Sequence, residues 1–408
     1  MATPGHGNRE EAMGKALEDV LVLDLGQIYN GPYCSMLLAF QGAKVIKIEP
    51  PAGEALRIRK RARNDKEPHE FLMLNSNKLG ITLDLKSEQG KSFLIELAKK
   101  ADVLVENFAP GVMDRLGLGY DVLQEINPRL VYATGTGYGL EGPYSELPAM
   151  DLTIQAMGGV MATTGYPDGP PLKAGPAFAD FSGGVHLFGG ILTALYHRER
   201  TGRGQRVEVS MHDSIYPTLA SPLGGYYDRP GEIPERTGNR HSGLAQCPYN
   251  VYPASDGYVA IFCMAERHWT SLATYMDRED LLSDPRFETG ADRSQHMDEV
   301  DGIISAWSEK RDRWDLVQGL LEAHVPCAPV LSLSEVAENA HLKARGMVRE
   351  VEHPDFGRVT VPGSPIRLSD SPLERVTSAP RLGEHTEEVL EELAGSDLMS
   401  RAGVVGES

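Results

Sequence analysis

The chain contains 408 residues, 41% of them hydrophobic, and its formal net charge at pH 7 is −18. This length and apolar content favour two folded domains and argue against a disordered chain. The acidic balance argues against a nucleic-acid partner, because proteins that bind duplexes are normally basic, and an anionic ligand would need a locally basic site.

The four cysteines form no C-x-x-C pair. This argues against zinc-ribbon and thioredoxin-like functions, and few scattered cysteines are typical of a reducing, cytoplasmic compartment. No H-E-x-x-H motif or His/Cys/carboxylate cluster indicates a metal. No signal peptide and no membrane span are expected, because the sequence shows no apolar leader and no run of 18 apolar residues.

Short β-rich apolar segments alternate with helical patterns over residues 1–140. The predicted strands are Val20–Leu25, Lys44–Glu49, Gly80–Leu85, Asp102–Glu106 and Leu130–Ala133. The predicted helices are Tyr33–Phe40, Ser87–Lys100 and Tyr120–Glu125. This alternation is typical of an α/β fold with a mostly parallel sheet, in which ligands bind at the carboxyl ends of the strands.

The remaining chain predicts a second, smaller domain and a return to the first. A long apolar helix at Val185–Glu199 and a strand at Gln205–Ser210 precede a loop-rich stretch, Gly224–Gly243. The predicted domains are 1–224 (large), 225–330 (small, α+β) and 331–408 (the return). The small domain should contain a strand pair around an Asp-Gly turn, then helices at Glu266–Met276, Met297–Glu309 and Arg313–His324. A terminal helix is predicted at Thr386–Leu393.

Two motifs could bind a ligand. GTGYG, Gly135–Gly139, follows a strand, but its third glycine is misplaced for a dinucleotide fingerprint, so a glycine-lined ligand loop is favoured over a nicotinamide site. The run RIRKRARNDK, Arg57–Lys66, is the densest positive segment of the chain. It is either a solvated loop or a phosphate-binding site, and both interpretations stay open.

Asp180 lies between a Pro/Gly-rich loop and an apolar helix, in AFADFSGGVHL. It could cap that helix, or it could be a reactive carboxylate stabilised by the helix N-terminus, with Gly183 and Gly184 allowing a bulky group to approach. Asp151 also suits a helix cap. His212 and Asp213 are interpreted as structural, because no G-x-S-x-G motif accompanies them.

Seven segments in a fixed order then point to a known family. They are VLDLGQIYNGPYCSMLLAFQGAKVIKIEPP, LNSNKLGITLDLKSEQG, ADVLVENFAPGVMDRLGLGY, INPRLVYATGTGYG, TTGYPDGPPLKAGPAFADFSGG, RERTGRGQRVEVSM and RLGEHTEEVL. In this order and spacing the chain resembles the family III CoA-transferases (CaiB/BaiF family), which include formyl-CoA transferase, carnitine CoA-transferase and α-methylacyl-CoA racemase. The resemblance runs nearly end to end.

The resemblance implies a Rossmann-like large domain, a smaller domain and an interlocked homodimer. It implies that Asp180 is the catalytic residue and that coenzyme A, entering as acyl-CoA, is bound without a metal or a redox cofactor. The CoA contacts that it implies are Tyr29, Asn30, Leu83, Asp84, Leu85, Lys86, Asn107, Phe108, Ala109 and Arg115.

Three departures from the family pattern matter. Formyl-CoA transferase has an arginine where this chain has Pro50, so Arg57 is expected to replace it. The predicted lid TGNRHSG, Thr237–Gly243, lacks that enzyme's glycine run, which argues against oxalate as substrate. Racemases have a histidine where this chain has Met150, and a thioether cannot act as a base, which disfavours racemisation.

The predicted reaction moves CoA from an acyl-CoA to a free carboxylic acid through an aspartyl anhydride and an aspartyl-CoA thioester on Asp180. Amides of Gly135–Gly139 or Gly183–Gly184 are candidate oxyanion donors. Arg236, Arg240 and His241 could pair with a second carboxylate, so a dicarboxylic acid is the expected substrate. The alternatives are an acyl-CoA racemase or epimerase, a CoA-binding subunit of a paired transferase and, more distantly, a nicotinamide dehydrogenase.

Overall fold

The computed structural model of the chain describes residues 14–59, 67–373 and 375–394. The described residues form two compact units. Among the described residues, those within Met1–Ile154, Ala177–Ser214 and Asn339–Ser408 form the first unit, and those within Gln155–Pro176 and Ile215–Glu338 form the second.

A six-stranded parallel sheet forms the centre of the first unit. Its strands are β1 (Leu21–Asp24), β2 (Lys44–Glu49), β3 (Lys78–Thr82), β4 (Val103–Glu106), β5 (Val131–Thr136) and β6 (Arg206–Ser210), in the order β3-β2-β1-β4-β5-β6. All neighbouring pairs are parallel. The strand order reverses between β1 and β4, and ligands bind at such a switch point in open α/β sheets. The predicted Rossmann-like α/β fold is confirmed.

Helices and further strands complete both units. The helices in chain order are α1 (Asn30–Phe40), α2 (His69–Leu74), α3 (Glu88–Lys100), α4 (Val112–Arg115), α5 (Tyr120–Ile126), α6 (Asp151–Met157), α7 (Val160–Thr163), α8 (Phe178–Thr201), α9 (Met211–Ile215), α10 (Ala220–Asp228), α11 (Glu266–Tyr275), α12 (Gly290–Gln295), α13 (Met297–Ser308), α14 (Arg313–Glu322), α15 (Leu333–Ala337), α16 (Ala340–Ala344) and α17 (Thr386–Ala394). In the second unit β7 (Tyr249–Ala254), β8 (Gly257–Phe262) and β9 (Cys327–Pro329) form an antiparallel sheet. An antiparallel pair, β10 (Val348–His353) and β11 (Gly357–Pro362), belongs to the first unit.

Both faces of the parallel sheet are buried. Successive residues of β4 alternate between the two faces: Leu104 packs into a cluster with α3 and α17, whereas Val103 and Val105 pack with α1 and α8. This is the expected pattern for a parallel sheet with helices on both sides, since side chains alternate along a strand.

A buried polar network fixes the chain at the carboxyl end of β1. The Asp24 carboxylate accepts hydrogen bonds from Lys78 at 2.9 Å, the Ser35 hydroxyl at 2.6 Å and the Gly26 N–H at 2.8 Å. Burial by itself would raise the pKa of Asp24, but Lys78 and Lys47 lower it below its ordinary value. The carboxylate therefore stays ionised and holds the loop between β1 and α1.

Helix α8 is long and apolar enough to cross a membrane by length and composition alone. In this unit it contacts α1, β5 and β6, and it buries Leu187 and Ile191 completely. Its apolar side is therefore used as the core of the first unit.

Four elements differ from the sequence-based predictions. Helix α8 begins at Phe178 rather than Val185, α10 occupies part of the stretch predicted as loop, and β3 ends at Thr82, so Leu83–Lys86 follow the strand. Helix α1 begins three residues early, at Asn30, because its proline lies in the first turn, where a missing N–H is tolerated.

The division into units also differs from the predicted domains. Residues 155–176, predicted in the large domain, belong to the second unit, which extends from Ile215 to Glu338 rather than over 225–330. Arg236 donates hydrogen bonds to the main-chain carbonyls of Ala162, Tyr166 and Gly169, and these bonds join the two segments of the second unit.

Candidate active site

A cavity of about 260 Å³ lies at the carboxyl end of the parallel sheet. Segments that follow four strands line it. They are Gln27, Ile28 and Asn30 after β1, Asn107–Pro110 after β4, Gly137, Tyr138, Ser145 and Leu147–Met150 after β5, and Met211 after β6. Asp180, in the first turn of α8, completes the wall together with Gly135 and Thr136 at the end of β5.

The Asp180 side chain is 8% exposed. Among the described residues none donates a hydrogen bond to its carboxylate, and the N-cap position of α8 is Ala177. Burial, followed by the nearby charge of Asp151, raises the pKa of Asp180 to about 7. Asp180 therefore does not occupy the cap position, and its carboxylate lies in the cavity wall without a hydrogen-bond donor from the described ranges.

Asp151 caps α8 in its place. Its Oδ1 accepts hydrogen bonds from the N–H groups of Ala179 at 2.8 Å and Asp180 at 3.3 Å. These N–H groups belong to the first turn of α8, where N–H groups have no acceptor within the helix. The helix dipole also favours a carboxylate at this end. Sequence analysis assigned Asp151 a cap but missed which helix it caps, because the contact spans 28 residues.

Glycines allow the start of α1 to pack tightly against α8 and β5. A Cβ atom on Gly135 would lie 2.3 Å from Asn30 Oδ1, and one on Gly183 would lie 2.3 Å from Asn30 Nδ2. A Cβ on Gly184 would meet the Asn30 carbonyl at 2.8 Å. Gly183 and Gly184 therefore accommodate α1 rather than a ligand. Their N–H groups lie inside α8, where helix bonding uses them, so they are not oxyanion donors.

Four of the predicted CoA-binding residues line the cavity: Asn30, Asn107, Phe108 and Ala109. Asn107 joins two of its loops, accepting from the Gln27 N–H at 2.7 Å and donating to the Gln27 carbonyl at 3.0 Å. The ring of Tyr29, next to the cavity, stacks on Phe181.

The other predicted CoA contacts lie outside the cavity wall. Leu83 is buried in the core, and Asp84 accepts the Lys86 N–H after β3. Lys86 and Arg115 are exposed cations and Leu85 is half-buried.

Arg57, the predicted replacement for the family arginine, makes its contacts within the fold. It is 5% exposed, donates to Glu49 at 2.7 and 2.8 Å and to Glu67 at 2.6 Å, and also bonds the Pro380 carbonyl at 3.0 Å. All three guanidinium nitrogens thus make hydrogen bonds inside the fold, and Arg57 is buried. The rest of the basic run, residues 60–66, lies outside the described residues.

The side chains predicted to bind a second carboxylate also make hydrogen bonds within the second unit. Arg240 pairs with Asp298 at 2.6 Å and donates to Asp301 at 2.8 Å. Arg236 uses all three guanidinium nitrogens on main-chain carbonyls at 3.1–3.4 Å. The His241 Nδ1 accepts the Gly243 N–H at 3.1 Å. These contacts hold the Thr237–Gly243 loop in shape.

Several lining residues were not predicted as site residues, among them Gln27, Leu147–Ala149 and Met211. The rule that ligands bind at the carboxyl ends of parallel strands would have found Met211, which directly follows β6. Within the described ranges no group of three or more His, Cys, Asp or Glu residues could hold a metal ion.

The comparisons with known proteins agree with this geometry. The model of CoA-transferase family III matches residues 17–386. The Formyl-CoA:oxalate CoA-transferase of Streptomyces coelicolor is 43% identical over 391 residues, covering 92% of this chain and 94% of that protein. The Succinyl-CoA:mesaconate CoA-transferase of Haloarcula hispanica is 38% identical over 386 residues, covering 92% and 96%.

A solved structure supports the same assignment. A CAIB/BAIF family protein from Brucella suis superposes with a TM-score of 0.83 at 34% identity, over 93% of this chain and all of that one. The chain therefore belongs to CoA-transferase family III and is a transferase that uses CoA thioesters. The family resemblance and the enzyme class predicted from the sequence are confirmed.

Proposed function

We propose that this enzyme transfers CoA from an acyl-CoA to a free carboxylic acid and that Asp180 carries the covalent intermediates. The observation that supports this most directly is the Asp180 carboxylate itself, which is buried in the cavity wall yet bonded to no described residue. A carboxylate that is poorly solvated and poorly bonded is a better nucleophile than one in water.

The proposed steps exchange one anion for another. An Asp180 oxygen attacks the thioester carbonyl, the C–S bond breaks, and a mixed anhydride and CoA thiolate form. The thiolate attacks Cγ of Asp180, which releases the donor acid and leaves an aspartyl-CoA thioester. The acceptor carboxylate then attacks Cγ and expels the CoA thiolate, which gives a second mixed anhydride. The thiolate attacks the acceptor carbonyl of this anhydride, forms the new acyl-CoA and releases the Asp180 carboxylate. No proton is consumed in the cycle.

Both intermediates would hydrolyse in contact with water, so water must be kept out. Burial of Asp180 supports such protection. Gly135–Gly139 remain the candidate source of oxyanion donors, since Gly135 and Gly137 line the cavity. The CoA chain is proposed to run from Asn30 and Asn107–Ala109 to the outer contacts predicted from the family, with the exposed cations Lys86 and Arg115 near its phosphates.

A dicarboxylic acid is the proposed acceptor class. The names of two relatives include oxalate and mesaconate, which are both dicarboxylic acids. The first of these names weighs against the prediction, based on the Thr237–Gly243 loop, that oxalate is not the substrate. Because Arg236 and Arg240 are engaged elsewhere, we propose that uncharged donors bind the second carboxylate. We further propose a cytoplasmic homodimer.

Trapping tests the role of Asp180. Asp180→Ala should lower transfer by roughly 10⁴-fold or more while acyl-CoA still binds, whereas the control Asp213→Asn, at an exposed carboxylate, should transfer normally. Hydroxylamine or borohydride added during turnover should modify Asp180, as located by peptide mass spectrometry. Modification at Asp151, or substantial turnover by the alanine variant, would refute the assignment.

The racemase alternative has no support at the site, because Met150 lines the cavity where a second base would be needed. Deuterium exchange at the α-carbon of an acyl-CoA, without an acceptor acid, would revive it. Activity of the purified single chain would exclude a subunit that depends on a catalytic partner.

A further inference from the structure

Asn30, at the first position of α1, is held unusually firmly beside Asp180. It is 2% exposed, and its Nδ2 donates to the main-chain carbonyl of Asp180 at 3.2 Å. Gly135 encloses its Oδ1 and Gly183 its Nδ2, so that any larger residue at either position would collide with the amide. The space for the Asn30 side chain therefore requires glycine at both positions.

The orientation of this amide follows from chemistry. The Asp180 carbonyl can only accept a hydrogen bond, so the Asn30 atom facing it must be the NH₂ group. The Oδ1 atom then faces Gly135, where it is buried and has no hydrogen-bond partner in the part of the chain that the structure describes. A buried acceptor without a donor destabilises the folded state.

The chain thus keeps a polar side chain where an apolar one of the same shape would avoid the unpaired oxygen. The hydrogen bond to Asp180 is a poor structural reason, because that carbonyl lies in α8 and has a helical partner four residues later. What the bond does fix is the first turn of α8, the turn that carries the Asp180 side chain into the cavity wall, which Asn30 also lines.

We propose that Asn30 is a positioning residue for the Asp180 carboxylate: its amide locks the first turn of α8 against the end of β5 so that the nucleophile keeps the geometry needed for attack. This rests on the proposed role of Asp180. Asp151 holds the N–H groups of the same turn and Asn30 holds its carbonyl, so the turn is fixed from two sides.

The test is Asn30→Leu, because leucine has nearly the same shape and no polar atoms. It should lower kcat by about 10- to 100-fold, the loss typical of a slightly misplaced reacting group, with a smaller change in the KM for acyl-CoA. The Tm should stay equal or rise, since the unpaired oxygen is gone. The rate of Asp180 trapping by borohydride in a single turnover should fall in parallel with kcat.

The control is Asn127→Leu in the same unit. Asn127 Nδ2 donates to two main-chain carbonyls at 2.9 Å, those of Ala98 and Ala101, away from the cavity. This variant should lose Tm and keep kcat, the reverse of Asn30→Leu. If Asn30→Leu loses Tm and keeps kcat, Asn30 is merely structural and the inference is overturned.

A parallel assay of Asp180→Asn separates this failure from failure of the proposed function. If Asp180→Asn is inactive while Asn30→Leu turns over normally, only the positioning role falls. If Asp180→Asn transfers CoA normally, both assignments fall together.

Discussion

The carboxylates of Asp151 and Asp180 both lie at the first turn of α8 but make different contacts. Asp151 accepts two N–H groups of the turn, whereas Asp180 accepts none from the described residues. The charge of Asp151 is the second cause, after burial, of the raised pKa of Asp180. The Asp151 carboxylate thus serves to hold the turn, whereas the Asp180 carboxylate is left without donors in the cavity wall.

The raised pKa of Asp180 predicts the pH dependence of activity. Only the ionised carboxylate attacks a thioester, so kcat/KM should fall as the pH drops below about 7 and level off above it. The pH profile of kcat/KM for a fixed donor and acceptor measures this pKa in the free enzyme. A profile that stays flat down to pH 5 would contradict a buried, protonated Asp180.

The same pKa predicts an effect on stability. The folded protein holds the Asp180 proton up to about pH 7, whereas the unfolded chain releases it near 3.8, so its contribution is complete below 3.8 and is lost as the pH rises through about 7. Asp180→Asn, which stays neutral, should therefore be more stable than the wild type at pH 8, by at most about 4 kcal/mol.

Urea unfolding of both proteins at pH 8 and at acidic pH measures this difference. The advantage of the asparagine variant should shrink as the pH falls. An equal difference at both pH values would show that the variant's added stability arises from packing or hydrogen bonding. The ionised Asp180 carboxylate would then not destabilise the folded protein.

At the scale of elements, the contact of α1 with α8 positions the nucleophile. Gly183 faces Asn30, whereas Gly189 of the same helix has open space where a side chain would be. Gly183→Ala should therefore destabilise the protein by about 1–3 kcal/mol through overpacking and lower kcat. Gly189→Ala should be neutral or stabilising by up to about 1 kcal/mol, because alanine favours the helix. Thermal and urea unfolding of the two variants check the contrast, and equal effects would contradict it.

The extent of α8 shows where local sequence rules stop. The strand Lys44–Glu49 was predicted with its observed bounds because its apolar run is locally complete. Helix α8 begins seven residues before its prediction because GPAFADFSGG reads as a loop. The cap that starts this helix comes from Asp151, 28 residues away, and no local pattern shows that.

At the scale of the molecule, the parallel sheet and the site at its carboxyl end could be predicted from the sequence. The partners of individual charged side chains could not. The alternation of strands and helices predicted the fold, and the family resemblance predicted Asp180. Arg57 looked available for phosphate, yet Glu49 and Glu67 use its guanidinium. Pairings of this kind depend on long-range packing, which a single sequence does not reveal.

The proposed homodimer is tested by mass in solution. Light scattering on the purified protein should give twice the chain mass of 44.5 kDa, and interlocked subunits should not exchange when a tagged and an untagged preparation are mixed. A monomer mass, or rapid exchange of subunits, would contradict interlocking.

The covalent role of Asp180 is tested most directly by oxygen labelling. An acceptor acid whose carboxylate carries ¹⁸O attacks Cγ of Asp180 and later leaves as a thioester, so each turnover should transfer one heavy oxygen to the Asp180 carboxylate. Peptide mass spectrometry should find the label there, dependent on both acyl-CoA and acceptor. Full turnover with no heavy oxygen in that peptide would mean that the acid never bonded to Asp180, and the mechanism would be wrong.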